Sequence, residues 1–175
     1  MKSERGGFRM LRHEQLLQER VHDTYRRGAK LPEPARCRDC GAVYRRGRWQ
    51  WDRAGKTPRT AGPAGEAPRP VRCPACSRVR EGMPAGYVSL SGAYQRAHRA
   101  EILRRVRRCE ADEKHAHPLQ RIMTVSAAGG DLVVTTTDSH LARRLGETLV
   151  KAFKGSSEYR YGREDNLLRV SWSRD

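Results

Sequence analysis

The sequence predicts an α+β fold in two parts, and three observations carry the prediction. Two C-x-x-C pairs punctuate residues 35–82, a segment with little else to build a core from. A long charged helical stretch follows, over about residues 92–115. Beyond Pro118 the apolar pattern switches from a helical period to alternation, then to a helical period and back again, which gives a small β-β-α-β-β domain. At 175 residues, 37% hydrophobic and 6% aromatic, the chain suits small modules better than one large core.

Residues 1–34 form a basic arm. Within it FRMLRHEQLLQERVHDTYRR, residues 8–27, sets Leu11, Leu16, Leu17 and Val21 roughly on one stripe, and Gly28 supplies a stop, so a helix is predicted. Residues 35–82 hold the cysteine pairs, Cys37-Arg38-Asp39-Cys40 and Cys73-Pro74-Ala75-Cys76. Two residues between ligands let the backbone turn so that both sulfurs face one centre, and Gly41 relieves crowding after the second ligand. Four thiolates suit one tetrahedral Zn²⁺ at about 2.3 Å and leave no position open for water, so one structural zinc is expected, not a catalytic one. The pairs stand 32 residues apart, longer than usual for a zinc ribbon. AGKTPRTAGPAGEAPRP, residues 54–70, is rich in proline and glycine and reads as a flexible insert; without its 17 residues the gap is 15, a normal ribbon spacing.

Residues 83–175 follow as a long helix and the α+β domain. In the helix Tyr94, Ile102, Val106 and Cys109 recur at helical spacing, while Arg96, Arg99, Arg104, Arg105, Arg107 and Arg108 cover the remainder. Cys109, on the apolar side, is read as a small buried hydrophobe. RIMTVSA (121–127) and DLVVTTT (131–137) flank Ala128-Gly129-Gly130 and predict a hairpin. Asp138 is placed to N-cap a helix over 139–153, whose Leu141, Leu145, Leu149 and Phe153 make one buried stripe. Strands near 157–161 and 167–172 complete the unit.

Charge points to the partner. Lys and Arg number 36 against 20 acids, a net +16. Residues 1–80 carry 20 basic and 8 acidic side chains, residues 81–175 carry 16 and 12, so a polyanion meets mostly the N-terminal part. Around the first knuckle Arg36, Arg38, Arg45, Arg46, Arg48 and Arg53 gather beside Trp49 and Trp51. Guanidinium groups hold phosphates, and bases stack on aromatic planes. Read as extended, VYRRGRWQW separates its arginines onto two faces; alternatively Gly47 is a hairpin tip. Nucleic-acid contact is assigned to Arg36, Arg38, Arg45, Arg46, Arg48, Trp49 and Arg53, with Arg104, Arg105 and Arg108 of the long helix.

Other chemistry is sparse. No apolar run is long enough to span a membrane, and the first residues lack a secretory signal's apolar region, so a cytoplasmic location is expected and disulfides are not. Phosphate-loop, dinucleotide, serine-hydrolase and H-E-x-x-H motifs are absent, and no small-molecule substrate is indicated. Asp138 with His140 could suggest acid–base work, but Asp138 already has a capping role, and a non-enzymatic protein is expected.

The order of these features is familiar. A cysteine-knuckle module is followed by G-x-V-x-L-x-G (Gly86, Val88, Leu90, Gly92), then by DLVVTTTDSHLARRL, a strand leading into a T-x-x-H-L-A-R-R helix. Over roughly residues 35–172 this resembles the N-terminal region of the nonsense-mediated decay protein three family, the large-ribosomal-subunit export adaptors, and specifically small bacterial relatives of it. The resemblance implies a zinc-dependent protein that binds the large ribosomal subunit through ribosomal RNA, in assembly or quiescence. The nuclear-export role does not carry over, because this chain has two cysteine pairs and a single α+β unit. The sequence thus predicts a zinc-binding, RNA-binding protein of the ribosome; the alternative is a zinc-ribbon DNA-binding transcriptional regulator.

Overall fold

The computed structural model describes Tyr25 and residues 31–52, 67–162 and 167–175. The helix expected over 8–27 lies outside the described residues except for Tyr25, as do Arg53 and most of the insert expected over 54–70. Arg69 and Pro70, at the insert's end, belong to a strand.

Among the described residues two small sheets and four helices make a mixed α+β architecture. The first sheet has four short strands: β1 (Ala35–Cys37), β2 (Val43–Arg45), β3 (Arg48–Gln50) and β4 (Arg69–Val71), in the order β3-β2-β1-β4. β2 and β3 form the hairpin that Gly47 suggested, with Tyr44 opposite Trp49 and Arg45 opposite Arg48. Its two-residue turn requires positive φ twice, at Arg46 (52°) and Gly47 (75°), the geometry whose twist matches paired strands. Both turn amides donate to the Glu33 carboxylate, at 2.6 and 2.9 Å. β4 runs parallel to β1, with Cys37 opposite Val71, and so brings the second cysteine pair beside the first. Helix α1 (Pro74–Glu81) starts at once, Cys73 being its N-cap and Pro74 its first residue.

The second sheet has five strands in the order β6-β7-β5-β9-β8: β5 (Gly86–Ser91), β6 (Ile122–Ala128), β7 (Asp131–Thr136), β8 (Ser156–Tyr161) and β9 (Leu168–Ser173). The β-β-α-β-β reading is therefore corrected by one strand. β5, read in the sequence only as a segment leading to the helix, is central, antiparallel to β7 and parallel to β9. Its physical basis is plain alternation: Val88 and Leu90 are fully buried, whereas Tyr87 and Ser89 face away. The single helix expected over 92–115 is also corrected. It breaks at His98 (φ −112°, ψ 23°) into α2 (Ala93–Ala97) and α3 (Arg99–Ala116), where the His98 ring stacks on Tyr94 at 3.9 Å.

Helix α4 (Ser139–Phe153) covers one face of this sheet, and α3 packs against α4. The stripe Leu141, Leu145, Leu149 and Phe153 is buried as its spacing predicts, and Asp138 caps the helix by accepting from the His140 amide at 2.8 Å. Each such leucine contributes about 1.5–3 kcal/mol on burial. Ile102, Val106 and Cys109 close the core from α3. Close approach of α4 to the sheet depends on two glycines. A Cβ on Gly86 would stand 2.5 Å from the Ala142 Cβ, and one on Gly146 would stand 2.7 Å from the Val170 Cγ1. Among the described residues no helix is long and apolar enough to cross a membrane.

Candidate metal centre

Strand β1 delivers Cys37, the tight turn after it delivers Cys40, and the start of α1 delivers Cys73 and Cys76. All four Sγ atoms lie within 4.8 Å of one another, and Cys40 and Cys73 are 3.8 Å apart. Tetrahedral coordination with bonds of about 2.3 Å puts sulfurs about 3.8 Å apart, so this cage can hold a metal ion. Backbone amides already point at the sulfurs: Cys73 N–H donates to the Cys37 Sγ (3.3 Å) and Cys76 N–H to the Cys73 Sγ (3.4 Å). Such bonds stabilise thiolates and fix the turns. Cys37 and Cys73 are buried, while Cys40 and Cys76 are only partly so.

The fifth member of the site, missed in the sequence, is Arg121. Its guanidinium lies 3.0 Å from the Cys40 Sγ, 3.3 Å from the Cys76 Sγ and 3.9 Å from the Cys73 Sγ, and its Nε donates to the Pro118 carbonyl at 2.7 Å. Burial works against its charge, but the contacts with Cys40 and Cys76 outweigh that and hold the cation more firmly than in water. The Cys73 contact draws the Cys40 thiol down to about 4, with the Ala42 backbone and Arg121 assisting. The same contact, together with burial, pushes Cys73 up, so this pair shares a proton. Burial also raises Cys76.

Arg121 precedes β6, so the site joins the two sheets. Trp51 adds a second tie, its Nε1 donating to the Lys114 carbonyl in the last turn of α3 at 2.6 Å. Trp49, Trp51 and Leu119 pack around the cysteines. Both tryptophans therefore line the small core, and Trp49 also meets Tyr44 at 5.4 Å.

The arginines assigned to nucleic acid fall into two groups. Arg45, Arg46 and Arg48 sit on the β2–β3 hairpin, with Arg46 and Arg48 exposed at its tip. Arg36 is committed to an ion pair with Asp52. Arg38 is exposed, 4.0 Å from Asp39. Arg104, Arg105 and Arg108 are on α3, exposed on the side away from the core formed by Ile102, Val106 and Cys109, and are joined to the hairpin end through Trp51 and Lys114. Through Trp49 the hairpin that carries Arg45, Arg46 and Arg48 packs against the cysteines, whereas the α3 set stands on the neighbouring unit. Cys109, beyond this site, is buried beside Thr148 (3.5 Å), and burial pushes its thiol up. Comparison with protein-family models, with curated proteins and with solved structures found no match to this chain.

Proposed function

We propose that the cysteine cage is a structural zinc site of the ribbon type, and that the chain is a non-enzymatic RNA-binding protein of the ribosome. The observation that carries the reading is the juxtaposition of a closed four-sulfur cage with an arginine hairpin whose turn is fixed by Glu33. Four thiolates suit zinc, and a cage whose four positions are all taken by sulfur suits a structural ion and not a catalytic one. A zinc tetrathiolate has a formal charge of −2, which Arg121 partly offsets within the protein, leaving Arg46 and Arg48 at the exposed tip for phosphates. The net charge of +16 supplies the long-range attraction to a polyanion. The large ribosomal subunit is the target that the family resemblance implies.

Elemental analysis of purified protein tests the first half, with one zinc per chain expected; iron, or no tightly held metal, overturns it. Sedimentation of lysate through a sucrose gradient tests the second, with the protein expected to travel with large subunits or whole ribosomes. A soluble position throughout refutes the ribosomal reading. Preference for duplex DNA over structured RNA at matched salt transfers the protein to the regulators.

A further inference from the structure

Beside the metal centre lies a cleft of about 400 Å³ whose walls are Asp39, Arg72, Cys76, Val79, Arg80 and Arg121. Its volume is in the range of small-ligand sites. Two features make it unusual on this surface. Val79, in its wall, and Met83, four residues on, are the exposed large apolar side chains among the described residues, at 49% and 55% exposure. Val79 thus gives the cleft one solvent-facing apolar wall inside a polar rim, while Met83 lies outside its lining. The rim is also cationic. Arg72 bonds Asp39 at 2.6 Å, Arg38 reaches it at 4.0 Å, and Arg80 lines the same cleft, so three guanidinium groups stand around one carboxylate and two of them pair with it. Adding Arg121 and a −2 metal centre, the surroundings keep a net charge of about +1.

We propose that this cleft takes one unpaired nucleotide of the bound RNA, its base against Val79 and its phosphate between Arg72 and Arg80. The proposal rests on the RNA reading above and adds to it a preference for unpaired over paired strands. The chemistry follows from the two halves of the wall. A base has an apolar face that an aliphatic surface and arginine planes can cover, and a phosphate accepts from paired guanidinium forks. A paired strand keeps its bases stacked inside the helix and presents only phosphate to the site. Arg80 is the better phosphate ligand of the two, since Asp39 already occupies the Nε of Arg72. An acidic peptide would also meet the charge, but it gains nothing that distinguishes single strands from duplex.

The test uses the full metal-loaded chain, with a short oligouridylate and a fully paired RNA duplex of equal length as probes in fluorescence anisotropy. Val79→Asp and Arg80→Gln should each lower affinity for the oligouridylate about tenfold and leave that for the duplex within about twofold. Arg80→Gln should also reduce the salt slope for the oligouridylate by about one. Val79 and Arg80 are both exposed, and unchanged metal content with unchanged near-UV circular dichroism verifies that each variant folds. Equal losses on both probes, or none, overturn the cleft proposal while leaving RNA binding intact. Absence of RNA binding by the wild-type chain overturns both.

Discussion

Replacing Arg121 by Met keeps most of its apolar stem and removes the guanidinium. Two of its contacts with sulfur, at 3.0 and 3.3 Å, are close enough to be strong; the third, at 3.9 Å, adds little. A hydrogen bond to a charged group contributes about 1.5–3 kcal/mol, so the two together contribute roughly 3–6 kcal/mol before desolvation. Holding a guanidinium in a partly buried place returns a good part of that. What remains is comparable to the loss when the partners of metal ligands are removed, about 10–100-fold in metal affinity, or about 1.4–2.8 kcal/mol. Titrating zinc against a chromophoric chelator at neutral pH measures the loss directly. Arg121→Lys should fall between, because it keeps the charge but not the planar fork that spans Cys40 and Cys76. An affinity for Arg121→Met within about twofold of wild type would refute the reasoning, since the guanidinium would then contribute nothing net to the cage.

Four further outcomes are expected. Cys73→Ser should abolish tight metal binding and shift the emission of Trp49 and Trp51 to the red, while Trp172, fully buried in the other core, keeps its environment. Metal affinity should fall with acid: Cys73 and Cys76 are raised above ordinary thiol values and must each release a proton to bind, so chelator competition between about pH 6 and 8 should show at least about a hundredfold loss per unit of pH. Gly146→Ala should destabilise by about 1–3 kcal/mol, seen as a lower urea midpoint with an unchanged slope, because its Cβ would crowd the Val170 Cγ1 at 2.7 Å and the Tyr159 hydroxyl at 2.9 Å. Arg46→Glu with Arg48→Glu should weaken binding of any structured RNA and reduce the salt slope by about one for each lost phosphate contact.

Much of the α+β unit is legible in the sequence because its signals are local. The Leu141-to-Phe153 stripe, the Asp138 cap and the Gly129-Gly130 turn each act within a few residues, and α4 spans Ser139–Phe153, the range its pattern predicts. β5 was not legible as the sheet's centre. Its alternation covers only a few residues between glycines, and its rank among the strands is set by partners in β7 and β9. The cysteine cage was legible from spacing, since two knuckles can hardly serve anything else. Arg121 was not. Its sulfur partners lie 45 and 81 residues away, and nothing around it distinguishes it from the other arginines of a chain so rich in them. The break at His98 escaped because the residues on either side are good helix formers, and a ring stack with Tyr94 accompanies the local turn.

The middle strand of the larger sheet has a consequence for the order of events as the chain is made. Gly86 of β5 pairs with Leu168 of β9, so the central strand waits for a neighbour that is synthesised 82 residues later. Until then one flank of β5 is an open ladder, protected on the other side only once β7 has arrived. Helices α3 and α4 can form early but have no finished surface to close upon. Closure of the sheet is therefore a late, long-range step, slower than the local hairpins around it, and a nascent chain stalled before β9 would offer a sticky edge to its neighbours.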